Sequence, residues 1–155
     1  MKGNKKVIDK LNDLLADELT AINQYIVHSE MCENWQYERL HKADEKRAID
    51  EMKHAEKLIA RILFLDGRPT VSKLKTIKIG PDVETQHKND LQSEYDAVKS
   101  YNDGIRLTTE LADNGTRELL EDILKEEEDH VDWLEAQLDQ IKQMGSQNYL
   151  VEQID

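Results

Sequence analysis

At 155 residues the chain has room for one domain with a real core, and a single domain over residues 1–155 is expected. Glycine, proline and aromatic residues are scarce, and Leu, Ile, Ala, Glu, Lys and Asp dominate, which predicts an all-α protein. The net charge of −12 argues against double-stranded nucleic acid as a partner, because repulsion replaces the usual phosphate contacts, and it suits the attraction of cations.

The first helix is predicted from about Lys5 to Asn34. Val7, Leu11, Leu14, Leu15, Ile22 and Ile26 form an apolar stripe along it. Glu18 lies inside that stripe, where a carboxylate is costly unless it is paired or metal-bound. Tyr25 follows on the same side. The only cysteine, Cys32, lies near the end of this helix and reads as a small buried or interface thiol, so no intrachain disulfide forms.

The second helix is predicted from about Glu38 to Leu65. Ala48, Glu51, Ala55, Leu58 and Ile62 mark its inner side, with His54 one turn from Glu51. The short turn from Cys32 to Tyr37 makes helices one and two antiparallel neighbours. The stretch from Asp66 to Val83 holds both prolines, Pro69 and Pro81, together with Gly67 and Gly80, and reads as a connection rather than a helix. Fully extended it reaches ~59 Å, whereas a helix of about 26 residues spans ~39 Å. It can therefore run the length of a bundle and start the third helix at the opposite end. Its Val71, Leu74, Ile77 and Ile79 are expected to lie against the bundle or against a neighbouring subunit.

The third helix is predicted from about Glu84 to Leu111, with Leu91, Glu94, Val98, Tyr101 and Ile105 as its inward stripe, interrupted again by one carboxylate. Asn114-Gly115 reads as a turn and Thr116 as the cap of a fourth helix, from about Arg117 to Met144. Leu120, Ile123, Glu127, Val131, Leu134, Leu138 and Ile141 mark its core side. Gly145 reads as a C-cap, and Asn148 to Asp155 as a short fifth helix that needs a docking surface. No stretch is long and apolar enough for a membrane span, and the opening residues lack the apolar run of a signal peptide, so a cytoplasmic location is expected.

Two motifs carry the chemistry: Glu51-Met52-Lys53-His54 and Glu127-Glu128-Asp129-His130, each a Glu-x-x-His inside a helical pattern. With Glu18 and Glu94 they supply carboxylates and imidazoles from all four helices, in the order Glu, Glu-x-x-His, crossover, Glu, Glu-x-x-His. That is the ligand set of a di-iron or di-manganese carboxylate site in a ferritin-like bundle. Glu51 and Glu127 can bridge both metals, Glu18 and Glu94 can close the outer positions, and His54 and His130 can give one imidazole to each. Glu128 and Asp129 read as surface charges. Tyr25 reads as a neighbour of the site, able to hydrogen-bond or to donate an electron.

The stretches Leu19–Tyr25 (LTAINQY), Ile49–Ala55 (IDEMKHA), Arg61–Leu65 (RILFL), Asp132–Glu135 (DWLE) and Met144–Leu150 (MGSQNYL) closely resemble the bacterioferritin family, and the likeness covers nearly the whole chain. Glu18, Glu51, His54, Glu94, Glu127 and His130 match that family's ferroxidase ligands. The resemblance implies an all-α ferritin-like four-helix bundle with a long crossover between helices two and three and a short C-terminal fifth helix. It implies a homo-oligomeric hollow shell of 24 subunits that oxidises Fe(II) with O2 or H2O2 at a di-iron centre and stores ferric mineral. It also implies a haem b shared between two subunits through Met52, in a pocket of Leu19, Ile22, Asn23, Ile26 and Ile49, and a ferredoxin-like electron donor. Glu45 departs from the family, where a tyrosine can stand. So does Lys46, where some relatives carry a histidine beside Asp50 on the inner surface; an interior iron-shuttling site is therefore not expected, and the centre is expected to act as a gated passage for iron. Asp66, Asp132 and Asp139 are candidates for an iron path between subunits.

Other di-metal proteins share this bundle. A rubrerythrin-like peroxidase is disfavoured by the lack of a Cys-x-x-Cys module, and Met52 with the short terminal segment favours a shell over a manganese catalase. A DNA-protecting mini-ferritin holds its metals at a subunit interface rather than on all four helices. A purely structural helical shell leaves the carboxylates in the apolar stripes unexplained.

Overall fold

The computed structural model describes all residues, 1–155, and contains only helices and their connections. The elements are α1 (Lys5–Asn34), α2 (Glu38–Phe64), α3 (Val83–Glu110), α4 (Asn114–Met144) and the short α5 (Ser146–Val151). The expected four-helix bundle with a long crossover and a fifth helix is present. α1 packs chiefly on α2, and α3 on α4.

Two boundaries differ from expectation: α5 runs over Ser146–Val151 rather than from Asn148 to Asp155, and α4 starts early. Asn114-Gly115 is not a turn but the first residues of α4, and Thr116 does not cap it. Asp113 is the cap: its Oδ1 accepts from the Thr116 backbone N–H at 3.1 Å, and its Oδ2 from the Thr116 hydroxyl at 2.7 Å. An aspartate carries a full charge at the positive end of the helix, so it outcompetes a threonine three residues on. At the other end Gly145 adopts φ +81°, which only glycine takes at little cost, and it turns the chain into α5.

The crossover, residues 65–82, has no helix and is tied to one face of α1 by polar side chains. Asn12 Oδ1 accepts from Thr70 N–H, Thr20 Oγ1 from Lys75 N–H, Gln24 Oε1 from Lys78 N–H and His28 Nε2 from Gly80 N–H, at 2.8–3.0 Å. These residues recur at multiples of four along α1, so they share one stripe. A chain without its own backbone ladder must find partners elsewhere, and this stripe supplies them. The segment lies against the bundle through these polar bonds, while its Val71, Leu74, Ile77 and Ile79 stay exposed on the single subunit.

Along each helix the interior is layered. At one end Val7, Leu11, Leu14, Leu15, Leu58, Ile62, Leu65, Leu120 and Ile123 form the main apolar core. The carboxylates and histidines of the two motifs come next. Beyond them is a second buried polar layer of His28, Asp44, Arg47 and Asp90. Cys32, Leu40, Val83, Ile141 and Tyr149 close the far end. The docking surface that α5 needs is there: Tyr149 is fully buried, donates to Gln137 Oε1 at 2.6 Å and pairs with His87 Nε2 at 3.1 Å. Cys32 is buried, as expected. Ile26 is not: it is about half exposed beside Met52 rather than in the core.

Candidate metal centre

Glu18, Glu51, His54, Glu94, Glu127 and His130 converge in the middle of the bundle and are all buried. They form two groups, Glu18–Glu51–His54–Glu127 and Glu51–Glu94–Glu127–His130, each with one donor atom per residue within 4.8 Å of the others. Glu51 and Glu127 belong to both. Each histidine turns Nδ1 inward: His54 Nδ1 is 3.0 Å from Glu127 Oε1 and 3.5 Å from Glu18 Oε2, and His130 Nδ1 is 3.1 Å from Glu51 Oε1 and 3.3 Å from Glu94 Oε1.

Outward-facing partners fix the rings. His54 Nε2 meets the Glu126 carboxylate and His130 Nε2 meets Asp50 Oδ2, the latter at 3.1 Å. A carboxylate only accepts, so Nε2 carries a hydrogen, and Nδ1 is the nitrogen left to give its lone pair to a bound cation. The glutamates are held as firmly. Tyr25 donates to Glu94 Oε1 at 2.6 Å, and Tyr101 donates to Glu18 Oε1 at 2.5 Å. The pattern is reciprocal. Each tyrosine lies seven residues after the glutamate of its own helix and binds the glutamate of the other helix, as antiparallel α1 and α3 require. On α2 and α4, each acidic residue directly before a Glu-x-x-His motif binds the histidine of the other motif.

What remains unsatisfied defines the chemistry. Glu18 Oε2, Glu51 Oε1, His54 Nδ1, Glu94 Oε2, both Glu127 oxygens and His130 Nδ1 are buried with no hydrogen-bond partner. Every one of them is an acceptor facing other acceptors. Only protons or cations resolve that arrangement, and two divalent cations balance the four carboxylates.

The sequence comparisons agree with this geometry. A ferritin-like domain family matches residues 8–144. The bacterioferritin of Brucella melitensis is 41% identical over 149 residues, covering 96% of this chain and 92% of the relative. Bacterioferritin BfrA of Mycobacterium tuberculosis is 40% identical, covering 96% and 94%. The bacterioferritin of Rhodobacter capsulatus is also 40% identical, covering 96% and 92%. The chain belongs to the bacterioferritin family. As in a di-iron ferroxidase of the ferritin class, its two buried carboxylate–histidine clusters share a pair of glutamates.

The electrostatics of this bacterioferritin centre are those of a site built for cations. Burial, then the charges of the neighbouring glutamates, pushes Glu51 and Glu127 well above the usual carboxylate range. Burial acts downward on His54, but Glu127 and Glu18 outweigh it and lift the ring to about 11. Burial acts upward on Glu94, yet the bonds from His130 and Tyr25 hold it below its ordinary value. Burial and the Glu94 and Glu18 carboxylates drive the hydroxyls of Tyr25 and Tyr101 well above 10, which keeps both as donors.

Tyr101, Glu126, Asp50 and Arg47 are contributors that the sequence reading did not assign to the site. The signal for three of them was present: Tyr101 repeats the Glu18–Tyr25 spacing after Glu94, and an acidic residue precedes each Glu-x-x-His. Arg47 has no such pattern; its guanidinium lies 4.4 Å over the Tyr25 ring. Asp50 also pairs with Lys46 at 3.1 Å, so it is committed on both sides. Glu128 and Asp129 are exposed, as expected. Asp66, Asp132 and Asp139 are exposed as well, and Asp66 pairs with the amino terminus at 3.4 Å. Met52 lies outside the centre, 45% exposed, in a groove of about 340 Å³ with Ile22, Ile26, Ala48, Ile49, Glu30 and Glu45. No helix is long and apolar enough to cross a membrane.

Proposed function

We propose that this chain, as one domain over residues 1–155, is the subunit of an iron-storing ferroxidase. Glu51 and Glu127 would be shared by a pair of irons, Glu18 and His54 would complete the holding of one, and Glu94 and His130 that of the other. The observation that carries this reading is the set of buried acceptors that face only one another. A bound iron pair supplies two electrons to O2 or H2O2, one from each Fe(II). The protein's own work is to hold the pair. Tyr25 and Tyr101 orient the outer glutamates, and Glu126 and Asp50 fix the histidine tautomers. Charge balance makes loading release protons from Glu51, Glu127 and His54.

The assembly, the second cofactor and the cellular setting belong to the same proposal. The exposed apolar residues of the crossover and of the Met52 groove suit burial between copies in a shell of 24, in the cytoplasm. The groove is apolar and ends in an exposed thioether, which suits a haem b shared by two copies of Met52. Glu30 and Glu45 at its rim disfavour close propionates. An electron from a ferredoxin-like donor can enter there. Lys46 stands where some relatives carry a histidine beside Asp50, and the centre itself serves as the passage for iron.

Fe(II) added anaerobically to the metal-free assembly, followed by oxidant, tests the core of this reading. Two irons per chain, then rapid oxidation and mineral growth far beyond that ratio, are expected. Oxidation that stops at two irons would instead indicate a non-storage di-metal oxidoreductase, rubrerythrin-like or catalase-like. A native mass near twenty-four times the 18.0 kDa chain checks the shell. Met52→Leu is expected to remove the haem absorbance while leaving Fe(II) oxidation in place.

A further inference from the structure

A cavity of about 110 Å³ opens between α1, α3 and the crossover and leads to the centre. Its floor is the buried Glu18, Glu51, Glu94 and Glu127; its rim is the more exposed Asp17, Lys75, Thr76 and Asp96. Five oxygens with no hydrogen-bond partner belong to these floor residues: Glu18 Oε2, Glu51 Oε1, Glu94 Oε2 and both of Glu127. An acidic rim above an acidic floor is an approach for a cation. Yet the rim carries a cation of its own. Lys75 Nζ lies 2.5 Å from Asp17 Oδ1 and 3.0 Å from Asp13 Oδ1.

We propose that Lys75 is the latch of the Fe(II) entrance on the crossover face: it covers Asp13 and Asp17 until an arriving divalent cation displaces it. The inference rests on the ferroxidase reading of the centre. The mount is fixed and the arm is free. Lys75 N–H donates to Thr20 Oγ1 at 2.8 Å, and Thr20 in turn donates to Ala16 O at 2.7 Å, so the backbone is held against α1. The side chain is 40% exposed, and a lysine is a flexible stem with a hydrated point charge, so it can swing into solvent while its backbone stays. A partly exposed ion pair is weak enough to exchange. A doubly charged ion displaces it more readily than a singly charged one, because both aspartates gain by the exchange. No bond to the irons and no step of the oxidation is assigned to Lys75; it sets how easily iron arrives.

Lys75→Met keeps the stem and removes the charge, and Lys75→Arg keeps the charge. Both are compared with wild type as metal-free assemblies. Loading is followed anaerobically with Co(II), by its visible absorbance, and oxidation is followed with Fe(II) and O2. Lys75→Met is expected to load Co(II) roughly threefold to tenfold faster. Its half-saturating Fe(II) concentration should fall in proportion, with turnover at saturating iron within about twofold and two ions per chain throughout. Lys75→Arg should track wild type. Asp96→Asn, which removes rim charge that no lysine covers, should slow loading. Loading by Lys75→Met at the wild-type rate, or slower, overturns the latch. Failure of wild type to take up two ions per chain is a different result, because it overturns the ferroxidase reading itself.

Discussion

Two buried polar clusters lie about one turn apart in this bundle, and they follow different rules. In the first, Arg47 Nη2 donates to Asp44 Oδ1 and to Asp90 Oδ2, each at 2.8 Å. Gln24 Nε2 and His28 Nδ1 both reach Asp90 Oδ1 at 2.8 Å, and the crossover's Gly80 N–H closes on His28 Nε2. Tyr25 and Trp133 lie against the guanidinium at 4.4 and 5.4 Å. Four residues further on, Glu51 and Glu94 meet no guanidinium, and their neighbours are more carboxylates and the two imidazoles. A buried cluster that contains its own counter-charge is part of the framework. One whose acceptors converge on each other is built for something that comes from outside.

Removing the cation from the framework cluster gives the largest expected effect. Arg47→Met leaves Asp44 and Asp90 buried beside each other, and breaking such a pair costs about 3–5 kcal/mol. Chemical denaturation of the metal-free assembly measures it, and a cost below about 1 kcal/mol would erase the distinction drawn between the clusters.

The converse substitution at the centre has the opposite signature. Glu51→Gln or Glu127→Gln mimics the protonated form that the metal-free centre favours, so metal-free stability is expected to hold or rise. Fe(II) oxidation is expected to fall at least ~100-fold, about 2.7 kcal/mol, because a bridging position loses its anion. Denaturation and initial rates measured on the same sample separate the two effects. A variant that lost stability and kept its rate would make these glutamates structural.

The asymmetry between the clusters also explains what could be read before the fold was seen. Glu18, Glu51, Glu94 and Glu127 each interrupt an apolar stripe, and two of them sit in a Glu-x-x-His spacing, so helical period alone brings them inward. The crossover announced itself through Pro69, Pro81, Gly67 and Gly80. Arg47, Asp44 and Asp90 were not legible, because a charged residue whose partner is on another helix looks like an ordinary surface charge. The start of α4 was misread for a related reason. Asp113 and Thr116 are both competent caps, and only the bond from Thr116 N–H to Asp113 decides between them.

Stability against pH sharpens the contrast further, since the clusters titrate with opposite sign. Glu51 and Glu127 titrate higher folded than their ordinary 4.5, so the stability they contribute is full below that value and is lost as pH rises through the raised folded values. His54, lifted to about 11, contributes stability that is full below its ordinary 6.5 and lost toward 11. Asp90 goes the other way. Burial acts upward, but Arg47 and His28 hold it below 3.8, so its contribution is present above that value and lost in acid. Asp44, which burial pushes upward, offsets part of this. Metal-free protein is therefore expected to become less stable as pH rises from about 5 to 9. Loaded protein should lose that slope, because metal replaces the protons. Melting curves across that range, with and without Zn(II), read the difference directly.

The smallest expected effect falls on the residue that joins the clusters. Tyr25 gives its hydroxyl to Glu94 and its ring face to Arg47, whereas Tyr101 gives its hydroxyl to Glu18 and has its ring in the apolar core. Tyr25→Phe and Tyr101→Phe each delete one hydrogen bond and keep the ring, worth about 1.5–3 kcal/mol to a charged acceptor. If the centre is a cation site, that loss should appear in the metal-loaded protein, where the glutamates are ionised and oriented. For Tyr25→Phe it should persist in the metal-free protein, because Glu94 stays ionised there: burial acts upward, but His130 and Tyr25 hold it below its ordinary value. A pair of double variants completes the test: Tyr25→Phe should be non-additive with Arg47→Met, and Tyr101→Phe should be additive with it. Equal coupling in both pairs would mean that the two clusters are one network, and the boundary between framework and site would have to be drawn around all of it.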